Sequence, residues 1–156
     1  LAVVCKTRET ELQAAERTYF DTISGTVPFK FIQADKGIHE LDSYLAGLSS
    51  SLVVHPSSTL GFELFAAGKK VLFGASADPI LMQQWGNQHY FDALPDLVKL
   101  PEYTKSVFNQ CCDQIREMPD AQYREVTRTA ATTVVSMPSS GYPHDTIKQL
   151  IGNLLA

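Results

Sequence analysis

The run His55-Pro-Ser-Ser-Thr-Leu-Gly-Phe-Glu63 gathers the groups in this sequence best suited to chemistry. Three successive hydroxyls, Ser57, Ser58 and Thr59, follow the short apolar run Leu52, Val53 and Val54, and all three are good helix N-caps. A helix that begins directly after a buried parallel strand points backbone N–H groups out of the strand's carboxyl edge. Those groups and the helix dipole attract phosphate, and the hydroxyls can add side-chain donors to the same anion. A carboxylate close to a phosphate would repel it, so Glu63, about one turn into the helix, reads better as an acceptor for neutral hydroxyls such as those of a ribose. Ordinary capping by a Ser or Thr with an exposed Glu uses the same residues more plainly, and the pattern alone leaves it open.

The elements that would position these groups are legible on either side. Leu52, Val53 and Val54 form a continuous apolar run, as expected of a strand buried on both faces. Residues 60–67 have the composition of a helix, and Gly68 stands where a C-terminal glycine stop belongs. Val71, Leu72 and Phe73 form a second apolar run bounded by Gly74. Short connections in a strand–turn–helix–strand unit predict parallel strands with a right-handed crossover.

His55-Pro-Ser-Ser-Thr-Leu-Gly-Phe-Glu63, followed by Gly68-Lys-Lys-Val-Leu-Phe, resembles the donor-binding motif in the C-terminal half of GT-B glycosyltransferases. It is most similar to bacterial transferases of surface carbohydrate, lipopolysaccharide or capsule, and it echoes the His…Asn-Ser…Glu motif of plant-type sugar transferases. The resemblance covers roughly the middle third of the chain. It implies that His55 and the turn of Ser57, Ser58 and Thr59 bind the donor diphosphate and that Glu63 binds the ribose. Gly61, inside the motif, joins the donor-binding set, and His55 is the candidate catalytic group. The motif's Asn falls on Thr59, a departure from the family pattern. Asp78 is about where plant-type transferases place an acidic residue toward the donor sugar, although an Asp-Pro pair also simply makes turns. Gln33, Asp35 and Lys36 precede the motif strand, where the family approaches the donor's base; a solvated turn is the plainer use of each.

The 156 residues predict one domain with a sizeable core. A hydrophobic fraction of 44% and a charged fraction of 19% are those of a soluble globular chain. A net charge of −4 argues against a nucleic-acid surface, and no apolar run approaches a membrane span. The chain opens at Leu1, within a strand-like run and without Met, and is expected to be a fragment of a longer protein. Cys5, Cys111 and Cys112 have neither a disulfide framework nor metal spacing. They fit a reduced cytoplasmic setting, at most peripheral to the inner face of the membrane.

Around the central unit, residues 1–5 read as a buried strand and residues 10–23 as a helix with Leu12, Ala15, Tyr19 and Ile23 on one face. Residues 27–33 read as a second strand. Ile38, Leu41, Leu45 and Leu48 repeat at helical spacing. Trp85, His89 and Tyr90 form an aromatic cluster that could stack on a base or sugar, with core packing as its more ordinary use. Leu94, Leu97, Val98 and Leu100 suggest a short strand or loop returning to the core. Residues 104–118 are helical with Val107, Phe108, Cys111, Cys112 and Ile115 on one face, and a second helix runs from Pro119-Asp120 to about Met137. Residues 144–155 read as a terminal helix.

His39, His55, His89 and His144 share no ligand spacing, so no metal and no resident cofactor is expected. No nucleophile elbow or phosphate loop of the Gly-Lys-Ser/Thr kind is present. The expectation is an α/β domain with a three-layer, doubly wound, Rossmann-like parallel sheet, half of a GT-B fold. Its substrate would be a nucleotide-sugar, its partners a missing N-terminal GT-B domain and a glycan or glycolipid acceptor, with no nucleic acid. Two alternatives stay open: a nucleotide-sugar epimerase of related fold, and a non-catalytic α/β binding or partner module.

Overall fold

The computed structural model describes residues 2–5, 10–24, 30–33, 42–55, 58–77, 80 and 91–135. The chain divides into two compact units, Leu1–Ser51 and Leu52–Ala156. Both are α/β in character, each with a two-stranded parallel sheet among the described residues. A three-layer doubly wound sheet, as expected from the sequence, is more than these two small sheets establish.

In the first unit, strand β1 (Ala2–Cys5) pairs in parallel with β2 (Lys30–Gln33), Ala2 opposite Lys30 and Cys5 opposite Gln33. Helix α1 (Thr10–Ser24) lies between them in sequence, and α2 (Asp42–Ser49) follows. These elements match the periodicities closely. Their burial does not: Ala15 and Tyr19 on α1, and Leu45 and Leu48 on α2, are exposed. The physical reason is area. The two strands among the described residues offer a helix too little surface to cover a full apolar stripe. Ile38 and Leu41, assigned to the same stripe, lie outside the described residues.

In the second unit, β3 (Val53–His55) pairs in parallel with β4 (Val71–Phe73), placing Val53 opposite Val71 and His55 opposite Phe73. Helix α3 (Thr59–Ala66) connects them. Beyond β4, Phe73 forms a parallel bridge with Lys99, and the Leu100 N–H donates to Phe73 O at 3.1 Å. With a neighbour on each side, β4 is buried at every position. The sequence reading of β3 as buried on both faces needs correction, because Val54 is 45% exposed. Side chains alternate along the strand, so Val54 points to the face opposite Val53 and His55, and that face is open at its position.

Two capping devices set the ends of this unit. At the close of α3, the Gly68 N–H donates to Phe65 O and the Lys69 N–H to Leu64 O. This is the Schellman arrangement, and it requires the left-handed backbone that Gly68 adopts at φ +80°. Lys70 then turns inward. Its ammonium donates to Arg116 O at 3.0 Å and Met118 O at 2.5 Å, and pairs with Asp120 at 3.0 Å. Three donors meet three acceptors at the corner between α4 (Lys105–Glu117) and α5 (Asp120–Val134).

Thr104 caps α4 by accepting from the Val107 N–H. The predicted inner face holds: Ile115 is fully buried, and Val107, Phe108, Cys111 and Cys112 pack half-buried against the core. Burial pushes the Cys112 thiol above its ordinary pKa, as expected of a packing cysteine. The threonines of α5 are accommodated because their hydroxyls bond carbonyls one turn back, as Thr127 does to Tyr123 O at 2.8 Å. The core joins Phe65, Val71, Leu72 and Phe73 with Ile115 and Tyr123. Among the described residues no helix is long and apolar enough to cross a membrane. The terminal helix expected at residues 144–155 and the aromatic cluster around Trp85 lie outside them.

Candidate functional site

The junction between β3 and α3 is built from the strand outward. His55 is the last residue of β3, and alternation along the strand turns its side chain into the core, where it is 8% exposed. The imidazole lies edge-on to Phe73 (ring centroids 4.6 Å apart, planes at 71°) and to Phe62 (6.1 Å, 74°). Its Nδ1 accepts the Ser58 N–H at 3.1 Å. The ring also occupies the space beside Gly61: a Cβ at that position would sit 1.9 Å from Nε2. The glycine is therefore required by close approach, not by backbone conformation.

Ser58 is the N-cap of α3, half-buried and extended at φ −71° and ψ 142°, and its side chain makes no capping bond. The cap is instead supplied from below by the histidine. Of the donors at the helix start, Ser58 N–H goes to the imidazole and Gly61 N–H to Ser58 O at 3.0 Å. The Thr59 and Leu60 amides, which have no acceptor within the helix, bond to no described residue. The first turn holds no acidic side chain to oppose an anion there. The Glu63 carboxylate stands exposed further along α3, while Phe62, Leu64 and Phe65 on its flanks face the core.

The structure thus brings together His55, Ser58, Thr59, Gly61 and Glu63 on one strand end and one helix. Ser57 and Asp78 lie outside the described residues, as do Asp35 and Lys36. Gln33 closes β2 in the first unit. His39, His89 and His144 also lie outside. Among the described residues no group of three or more His, Cys, Asp or Glu side chains is arranged to hold a metal ion.

Two features were not foreseen. One is the seating of His55 on Gly61 between Phe62 and Phe73; the signal was present in the spacing of a histidine and a glycine around a turn, but spacing does not say which way a ring faces. The other is an open cleft of about 490 Å³ beside the segment that follows β4, lined by Ser76, Asp96, Lys99, Leu100, Cys111 and Gln114. Lys99 spans to Asp96 at 2.9 Å, and its hydrogen bond holds the Asp96 carboxyl below the usual carboxylate range. Ser76 Oγ lies between Phe73 O and Leu100 O, at 2.7 and 2.9 Å, tying the cleft floor to the end of β4.

Chemically, the start of α3 offers two backbone donors, a hydroxyl and the positive end of a helix dipole. That combination can hold an anion of the phosphate class. The chain matches no family model, and the comparisons with characterised proteins and with solved structures likewise returned no match.

Proposed function

We propose that this chain is the donor-binding half of a GT-B glycosyltransferase, folded around a doubly wound parallel sheet, that transfers sugar in surface-polysaccharide or lipopolysaccharide synthesis at the cytoplasmic side of the membrane. The observation that carries this reading is the junction itself. Helix α3 begins at Thr59 directly after β3 ends at His55, with no acidic residue in its first turn and with the Thr59 and Leu60 amides heading it. Ligands in open α/β sheets bind beyond the carboxyl ends of the strands, at this kind of position.

In this reading the diphosphate of an activated sugar sits on the Thr59 and Leu60 amides and the Ser58 hydroxyl, and the ribose hydroxyls donate to Glu63. As the bond between the anomeric carbon and the phosphate oxygen breaks and the acceptor oxygen, losing its proton to the general base, bonds that carbon, negative charge builds on the leaving diphosphate, and donors already aimed at it stabilise that charge without reorganising. The helix dipole contributes in the same sense, so the chemistry asks for no metal at this site. The general base and the acceptor belong to an N-terminal domain facing the same edge.

The test is direct. UDP, GDP, CDP and CMP are titrated against the chain by calorimetry, then against Glu63→Ala. At least one nucleotide should bind saturably, and the variant should bind it about tenfold more weakly, the loss of one charge-assisted hydrogen bond. If none of the four binds the folded chain, the donor site does not exist. One observation favours a second reading, a non-catalytic α/β binding module: His55, to which the resemblance gives the diphosphate, is buried, with Nδ1 engaged by Ser58.

A further inference from the structure

We infer that His55 serves the donor site through Nδ1, as a positioning residue that sets the turn, and not through Nε2 as a direct ligand of the diphosphate. The inference rests on the donor-site reading above and assigns His55 a different task within it. A backbone N–H can only donate, so the 3.1 Å bond from Ser58 requires a lone pair on Nδ1 and places the ring proton on Nε2. Nε2 faces the α3 backbone, at the spot a Gly61 side chain would fill. Phe73 and Phe62 meet the ring edge-on. An imidazole held in this way cannot swing Nε2 outward without vacating its seat beneath the helix.

The consequence lies one residue further on. With the Ser58 amide turned inward to Nδ1, Thr59 and Leu60 are the amides that lead the helix. Ser58 itself makes no side-chain cap, and the imidazole accepts the N-cap residue's own N–H, the task that the N3 side chain performs in a capping box. The ring and Gly61 are then one device: a bulky internal cap and the gap that admits it. The diphosphate is bound by backbone atoms that His55 orients, a supporting role that leaves the histidine itself out of contact with the substrate.

The two nitrogens can be separated by substitution. An asparagine amide oxygen reaches about where Nδ1 sits, whereas a glutamine amide reaches Nε2. The experiment uses His55→Asn, His55→Gln and His55→Ala in the full chain, with the nucleotide that binds the unchanged chain as probe and Ser58 amide exchange as a second readout. His55→Asn should bind within a few-fold of the unchanged chain and keep the Ser58 amide slow to exchange. His55→Gln and His55→Ala should bind at least about tenfold more weakly and exchange Ser58 quickly. Retained affinity in His55→Gln with loss in His55→Asn would make Nε2 the ligand and overturn the inference, as would unchanged affinity in all three. If the variants fail to fold, nitrogen NMR of the unchanged chain decides: the Nε2-protonated tautomer is expected, and an Nδ1-protonated ring refutes the assignment. Should the unchanged chain bind no nucleotide, the donor reading fails, while the tautomer and the exchange of Ser58 still test the Nδ1 bond.

Discussion

Tyr123 on α5 is fully buried, and its hydroxyl accepts the Val71 N–H at 3.1 Å, satisfying the first amide of β4. Burial pushes its phenol up to about 12. The unfolded chain releases that proton near pH 10. Between these values the unfolded state binds fewer protons, so stability falls as pH rises, and below pH 10 the contribution is complete. Denaturant titrations should show a loss of about 2–3 kcal/mol from this group between pH 10 and 12. Tyr123→Phe should lack that slope and be weaker by about 1–3 kcal/mol at neutral pH, having stranded a buried amide. Gly61 tests packing at the same scale. Gly61→Ala drives a methyl into the His55 ring and should cost about 1–3 kcal/mol in chemical denaturation, the usual range for overpacking. An alanine accepted without loss would mean that the ring has another place to go.

At the scale of elements, the α4–α5 corner depends on a side chain from the start of β4. Lys70 is 12% exposed on its side chain and bonds Arg116 O, Met118 O and the Asp120 carboxylate. The Asp120 carboxyl is held below its ordinary range, first by the Lys70 hydrogen bond and then by that lysine's charge. Its contribution is therefore complete above the unfolded value near pH 4 and fades as pH drops through the lower folded value. Lys70→Met should destabilise the chain by about 1.5–3 kcal/mol, the worth of a charged hydrogen-bonding group, and should speed amide exchange at the end of α4. As pH falls through the lowered Asp120 value the penalty should shrink, because the protonated carboxyl no longer prefers the ammonium. A penalty that is flat from pH 7 to pH 2 would assign the effect to the two carbonyls alone. Helix and strand positions were well marked in the sequence because periodicity and glycine stops are local. Gly68 ends α3 with the left-handed turn its position implied, and Thr104 caps α4. The partner of Lys70 was invisible: Asp120 is fifty positions away and meets it only through packing.

At the scale of the molecule, the buried apolar cluster found among the described residues belongs to the second unit. The second buries Phe62, Phe65, Phe73, Ile115 and Tyr123 in one cluster. The first leaves Tyr19, Leu45 and Leu48 exposed. Stability should therefore be uneven. Hydrogen exchange by mass spectrometry should find β4, α4 and α5 protected for longest, with α1 and α2 opening well before them. Equal protection in both units would show that the first unit gains cover that its own elements do not supply.

Local pattern determined the parallel strand–helix–strand unit and the glycine stop of its helix, because each follows from near neighbours along the chain. Tertiary structure alone decided which surfaces are covered and which way groups face: that Val54 is open while Leu72 opposite is sealed, and that His55 turns under α3 onto Gly61. Orientation and burial are set by side chains arriving from distant positions, Phe73 and Tyr123 above all, and no spacing within the motif encodes them.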